Sequence, residues 1–314
     1  MTTWTIDLTT SGERLDLFLT AQYPDDSRSA LQKRIKSGEF LVNGKKAMVH
    51  RFLKEGDVVS RETRNIKHKT SAPIVGAIHE LPVQPTVVAE TADYLVIDKP
   101  IGLMVHPDSR TEEPTLVDWL MEHDPKIGKI GEDPSRPGIM HRLDREVSGL
   151  MVIAKTQDAF DSLKKQFATR LVEKKYIALV HGEINREEGD IKFRIARSSS
   201  KARMAARPEE EEEGRAAWTH YHILERFVGA TLLELTILSG RTHQIRAHLH
   251  ALGHAVMGDP LYTHKKTDRN VTAPRLMLQS YDLTFTDPST NEKKNFHLEP
   301  DPSFAALVSE FRTS

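Results

Sequence analysis

Cysteine is absent from all 314 residues. That one absence removes disulfides, thiolate zinc sites and thiol nucleophiles together. Base chemistries that run through a cysteine adduct or a cysteine-bound zinc, such as methylation at uridine C5 or nucleobase deamination, go with them. No apolar run approaches the roughly 18 to 20 residues that span a bilayer. The opening MTTWTIDLTT has neither a basic start followed by an apolar stretch nor a small-residue cleavage site, so a cytoplasmic location is expected. An excess of one sign of charge is also lacking, the net value being -1. An average hides distribution, however. Between Arg28 and Lys69 twelve lysines and arginines face four acids, so the N-terminal part is a basic module balanced by excess acid elsewhere. There is no internal repeat, and the low-complexity stretch, Glu209 to Glu213, reads as a solvated acidic loop.

The 38% hydrophobic content suffices for one large domain and a small one. Leu15, Phe18 and Leu19 after Gly12 fall at helical spacing. A second short helix starts at Ser27 or Ser29 and buries Leu31 and Ile35 before Gly38. Phe40 to Val42, the turn Asn43-Gly44 and Asp57 to Ser60 predict a small hairpin-based sheet on that helix pair. Residues 1–62 therefore form a compact α+β unit. Residues 63–85, with Pro73, Gly76, Pro82 and Pro85, read as a linker, and 86–314 as the second domain. Its predicted strands are Thr86–Ala89, Tyr94–Asp98, Leu150–Ala154, Lys175–His181, Trp218–Arg226, Thr231–Leu238 and Tyr281–Thr286. Thr156 is placed to cap a helix burying Phe160, Leu163, Phe167 and Leu171, and Thr242 one burying Ile245, Leu249 and Leu252 before Gly253. A last helix sets Phe304, Leu307, Val308 and Phe311 on one face. Many strands and few helices predict an α+β domain around a mixed, mainly antiparallel sheet.

Chemistry concentrates in GIMHRLDREVSGLMVIAK, Gly138 to Lys155, where His141, Arg142, Asp144, Arg145 and Glu146 precede an apolar strand. Taken alone, Asp144 could simply pair with Arg142 or Arg145 on the surface. A second cluster, SGRTHQIRAHLHALGH, sets Arg241, His243, Arg246, His248, His250 and His254 on and around a helix. There the spacing gives a polar face that includes Arg246 opposite Ile245, Leu249 and Leu252. His250 and His254 have metal-ligand spacing, but the glutamate of a His-Glu-x-x-His motif is missing, so no metal is expected.

These two segments, with YLVIDKPIGLMVHP upstream and EKKYIALVHG between them, resemble four successive motifs of the RluA-type pseudouridine synthases in order and spacing, from about Val87 to Pro300. RLDLFLTAQYPDDSRSALQKRIKSGEFLVNGKKA similarly resembles the S4 RNA-binding domain. The resemblance implies a pseudouridine synthase fold, no cofactor, and isomerisation of uridine in structured RNA, with large-subunit ribosomal RNA the foremost substrate and transfer RNA an alternative. It sets the family's catalytic aspartate on Asp144, its active-site tyrosine on Tyr176 and its basic partner on Arg246. The arginine expected to fill the stack vacated by the target base falls on Arg142, and His141 beside it is a further candidate for RNA contact. Each type suits the task. A carboxylate can attack the sugar or base or assist a sugar-proton abstraction, a guanidinium supplies a fixed counter-charge, and a tyrosine can stack on uracil with its hydroxyl near C5.

Lys99 and His106 are further candidates for lining the RNA cleft, and Arg28, Lys33, Arg34 and Lys36 for phosphate contact by the basic module. The chain departs from the family where Leu-His-Ala and Asn-Lys-Pro are common, having Leu278-Gln279-Ser280 and Asp98-Lys99-Pro100. The target uridine is therefore open. A monomer is expected. Two readings compete with the synthase: an RNA-binding assembly factor without turnover, and a histidine-based metal hydrolase.

Overall fold

The computed structural model describes residues 2–24, 26, 28–36, 38–49, 51–61, 84–107, 113–198, 203–263 and 273–313. They divide into two compact units, the first spanning residues 1–81 and 107–113, the second the rest. The expected linker, apart from residues 84 and 85, lies outside the described residues.

In the first unit, β1 (Thr2–Thr5), α1 (Leu15–Gln22), α2 (Arg28–Lys36), β2 (Phe40–Val42), β3 (Lys45–Lys46) and β4 (Val58–Arg61) follow in order. The sheet is antiparallel, β1-β4-β2-β3. The Asn43-Gly44 turn works as expected, both residues taking the positive φ that a tight hairpin requires. Leu15, Phe18, Leu19, Leu31 and Ile35 pack on Phe40, Val42 and Val59 in one core. Each such side chain contributes about 1.5–3 kcal/mol on burial. β1 was not anticipated, because Thr-Thr-Trp-Thr is a polar edge strand with little apolar alternation.

Beneath this core Asp16 is fully buried. Its carboxylate accepts from Arg14 (3.1 Å), Arg28 (2.9 and 3.1 Å) and Gln32 (2.9 Å). Burial alone would raise its pKa, but the Arg14 and Arg28 guanidiniums outweigh it and hold the carboxyl below its ordinary value.

The second unit is built on one large sheet of β5 (Thr86–Glu90), β6 (Tyr94–Lys99), β7 (Ser148–Ala154), β8 (Glu173–His181), β9 (Glu188–Ile191), β13 (Thr219–Phe227), β14 (Ala230–Ile237), β15 (Leu278–Thr286) and β16 (Lys293–His297). Between β9 and β13 comes a separate small sheet of β10 (Arg194–Arg197), β11 (Met204–Arg207) and β12 (Arg215–Ala216). The large sheet runs β5-β6-β7-β15-β8-β14-β13-β9, with β16 on β15. Its ladders are antiparallel except β7–β15, which is parallel, so the mixed, mainly antiparallel α+β expectation is met. Late in sequence, β15 enters between β7 and β8, and its Ser280 stands opposite both Gly149 and Tyr176.

Helices cover the sheet: α3 (Leu116–His123), α4 (Gln157–Ala168), α5 (Gln244–Ala251) and α6 (Pro302–Thr313), plus a 3-10 turn at Pro125–Lys129. Thr156 caps α4 as expected, its hydroxyl accepting from the Ala159 N–H. Phe160 and Leu163 are buried, but Leu171 is 64% exposed because the helix has ended before it. α5 is capped not by Thr242 but by His243, in the left-handed conformation (φ 54°). Leu252, expected inside, is 39% exposed one residue beyond the helix. α3 escaped the sequence reading although Asp118 accepts from both the N–H and the hydroxyl of Thr115, a capping box with Asp in its third position. Among the described residues no helix is long and apolar enough to cross a membrane.

Candidate active site

The strand order decides what can meet. Asp144 lies just before β7, Tyr176 in β8 and Arg246 in α5, which follows the turn after β14. With β15 wedged between β7 and β8, the ends of these elements surround a cleft of about 460 Å³ lined by Asp144, Tyr176, Arg246, Arg142, His141 and His106 among others.

Asp144 is held from two sides. Its loop is a tight turn, Val147 N–H donating to the Asp144 carbonyl at 3.1 Å. The loop is tied to the segment after β6 by Gly102 N–H on the Arg145 carbonyl (2.8 Å) and Arg145 Nε on the Gly102 carbonyl (3.1 Å). The carboxylate Oδ2 accepts from Arg246 Nη1 at 3.1 Å and lies 3.9 Å from His243 Nε2. It remains partly open to solvent, whereas Arg246 is fully buried. The polar face of α5 turns inward: Arg246 and His248 are both completely covered, the latter between Thr219 Oγ1 and the Phe193 carbonyl.

A buried guanidinium requires compensation. Asp259 supplies it, accepting Nε at 2.7 Å and Nη2 at 2.9 Å while also capping Leu261 and Tyr262 N–H. Glu146 accepts Nη1 at 3.4 Å, and the Tyr262 ring lies 5.3 Å from the guanidinium carbon. Burial would loosen the Arg246 proton, but Asp259 and then Asp144 hold it more tightly than usual. The preceding Gly258 has φ +72°, and a Cβ there would sit 1.8 Å from the Arg275 carbonyl oxygen, so only glycine fits. Sequence reasoning missed Asp259. The signal was the GDPLY run after the histidine-rich helix, an acid set directly behind a glycine.

Tyr176 is 5% exposed, its ring walling the cleft. Burial, reinforced by the Asp144 charge and opposed by a Ser280 hydrogen bond, pushes its hydroxyl well above the usual tyrosine range. Arg142 is exposed at the rim and donates to His106 Nε2 at 2.8 Å. His141 turns inward instead: its ring stacks on Phe167 with centroids 4.6 Å apart, and Nε2 accepts the Val152 N–H at 3.1 Å. Burial, with Lys174 adding repulsion, lowers its pKa to about 3, so it is neutral at physiological pH.

Lys99 does not line the cleft. It is fully buried, its ammonium donating to the carbonyls of Pro100 (2.8 Å), Leu103 (3.0 Å) and Arg145 (3.4 Å). Burial lowers its pKa to about 7 against the raising influence of Asp144. Its long stem makes the inward course possible, and three convergent carbonyls make it favourable. Arg28 is likewise committed to Asp16, and Arg34 to Glu39 (2.9 and 3.0 Å) and Asp26, its guanidinium also 5.1 Å from the Tyr23 and Phe40 rings. Both arginines serve the interior of their unit. Lys33 and Lys36 belong to α2, but their side chains lie outside the described residues. His254 Nδ1 meets the His181 carbonyl oxygen at 2.9 Å, and His250 packs edge-on against Tyr262.

Residues 93–251 match the family model for RNA pseudouridylate synthase, and residues 13–59 that for the S4 domain. An uncharacterized RNA pseudouridine synthase of Bacillus subtilis, YlyB, is 35% identical over 98% of both chains. The ribosomal large subunit pseudouridine synthase D of Nitrosomonas europaea is 33% identical over 98% of this chain and 88% of its own. Among solved structures, human RNA pseudouridylate synthase domain containing 1 superposes with a TM-score of 0.57 at 26% identity, covering 74% of this chain and 97% of that one. With an S4 domain at its N-terminal end, this chain belongs to the RNA pseudouridylate synthase family and is an RNA pseudouridine synthase, an isomerase.

Proposed function

We propose that the protein isomerises uridines of large-subunit ribosomal RNA in the cytoplasm, with Asp144 as the reacting carboxylate. The observation that carries this reading is the Asp144–Arg246–Asp259 chain, which fixes a carboxylate oxygen inside a cleft walled by Tyr176. The names of the Nitrosomonas and Neisseria relatives, ribosomal large subunit pseudouridine synthase D, support the ribosomal substrate. In the reaction the bond from uracil N1 to C1' breaks, C5 joins C1', the C5 proton leaves and N1 gains a proton. No net oxidation occurs. Asp144 acts at the sugar or the base, while the Arg246 charge keeps its electrostatic setting constant.

Tyr176 provides the stacking wall. Its hydroxyl is protonated at rest, so it can accept the C5 proton only after giving up its own. C1' of a stacked nucleotide is out of reach, so the uridine must swing out at a cost of a few kcal/mol. Arg142, exposed and braced by His106, is the side chain at the rim that can enter the gap. The test is tritium release from ribosomal RNA labelled at uridine C5. Wild-type protein should liberate the label, and an absence of release from any cellular RNA would refute the assignment.

A further inference from the structure

Adjoining the cleft is a second cavity of about 260 Å³ lined by Arg170, Lys192, Arg194, Trp218 and Glu209, among others. It shares Arg170, Leu238 and Ser239 with the cleft, so the two adjoin along these residues. Its cationic side chains are not all spent. Arg194 Nη2 donates to the carbonyls of Gly214 (2.8 Å) and Glu212 (3.4 Å), but its buried Nε has no hydrogen-bond partner among the described residues. Lys192 is exposed, its ammonium 5.4 Å over the Trp218 ring and 3.9 Å from Asp190.

Arg170 is the more telling residue. It ends α4 in a Schellman motif: its own N–H donates to the Phe167 carbonyl (3.3 Å) and Leu171 N–H to that of Gln166 (2.9 Å). The position takes φ +62°, which glycine adopts freely and arginine only under strain. Nothing in the cap itself calls for a guanidinium. An exposed arginine kept where glycine would fit better, on the border between two cavities, points to a role outside the helix.

We propose that this second cavity is a subsite for the RNA strand beside the target uridine, its phosphodiester held by Arg170, Lys192 and Arg194 and the adjacent base lying against Trp218. The proposal rests on the cleft taking a uridine of RNA. Positive charge plus an indole suits a strand segment whose base has unstacked. Glu209, the acid on the rim, disfavours phosphate on its own side and so biases the path of the strand.

The test is Arg170→Gly, which removes the charge and relieves the backbone, so the protein should stay folded. Arg312→Gly, an exposed arginine of α6, is the charge-matched control. Dissociation constants for a C5-tritiated ribosomal RNA fragment are measured across salt concentrations, and tritium release is followed on the same RNA. Arg170→Gly should weaken binding about fivefold to tenfold, reduce the salt slope by about 0.7–0.9, and lower kcat/KM chiefly through KM. Equal losses in both variants, or no change in Arg170→Gly, would overturn the subsite while leaving the isomerase reading intact. Arg170-dependent binding without tritium release by the wild type would retain the subsite and overturn the reading of ribosomal RNA as the substrate.

Discussion

Arg246 and Asp259 form a two-nitrogen, two-oxygen fork inside the second unit, at 2.7 and 2.9 Å, which leaves Nη1 of the arginine for Asp144. The planar fork fixes the guanidinium in its own plane. Asp259 thus aims Arg246 at the cleft.

Replacing Asp259 by alanine should leave a buried cation without its principal counter-charge. Loss of about 3–5 kcal/mol is expected in urea denaturation, together with a large fall in tritium release. Stability equal to wild type would show that the fork does not compensate Arg246.

Asp144→Asn keeps the shape and removes the charge. Because Asp144 is partly solvent-exposed and Arg246 retains Asp259, folding and RNA affinity should persist, whereas turnover should drop at least about a hundredfold. Tritium release at the wild-type rate would remove Asp144 from the chemistry.

Gly258→Ala should be among the most damaging small substitutions in the unit. The added methyl would meet the Arg275 carbonyl oxygen, and the backbone would resist the positive φ. A cost of about 3 kcal/mol or more in thermal unfolding is expected, with displacement of the neighbouring Asp259 and loss of activity.

Acid should destabilise the second unit through His141. The unfolded chain takes up a proton near pH 6.5, but the folded ring does so only near 3. Protons therefore favour unfolding across that window: the His141 contribution is complete above pH 6.5 and is lost as pH falls towards 3, by up to about 1.4 kcal/mol per pH unit. In His141→Gln, where an amide oxygen can still accept the Val152 N–H, the pH dependence of urea midpoints should flatten between those limits.

The repetitive parts of this molecule were readable in advance. Leu-Met-Val-Ile-Ala announces a central strand, and Phe160 with Leu163 behind Thr156 announces a capped helix, because period and capping chemistry are local properties. Asp144, Tyr176 and Arg246 were legible through motifs that place them in one cleft, and the geometry agrees that they gather there. The direction of a long side chain was not legible. Lys99, Arg28 and Arg34 all looked like cations for RNA, yet each bends into partners that only the tertiary fold supplies: three carbonyls, Asp16, and Glu39 with Asp26. The short strands β10 to β12 also escaped, since Arg-Ile-Ala-Arg and Met-Ala-Ala-Arg are too short for a period-two signal to stand out.

The insertion of β15 between β7 and β8 has a consequence for timing. During synthesis, Asp144 and Tyr176 leave the ribosome more than a hundred residues before Ser280, whose strand β15 lies between β7 and β8 and joins them. Until that late strand arrives, the two edges it will join are open, and the cleft has no floor. Closure by such a sequence-distant strand makes folding slow and leaves nascent chains vulnerable to mispairing. Catalytic competence should therefore appear abruptly once β15 has been made, and chains stalled before residue 278 should be inert however completely their earlier helices have formed.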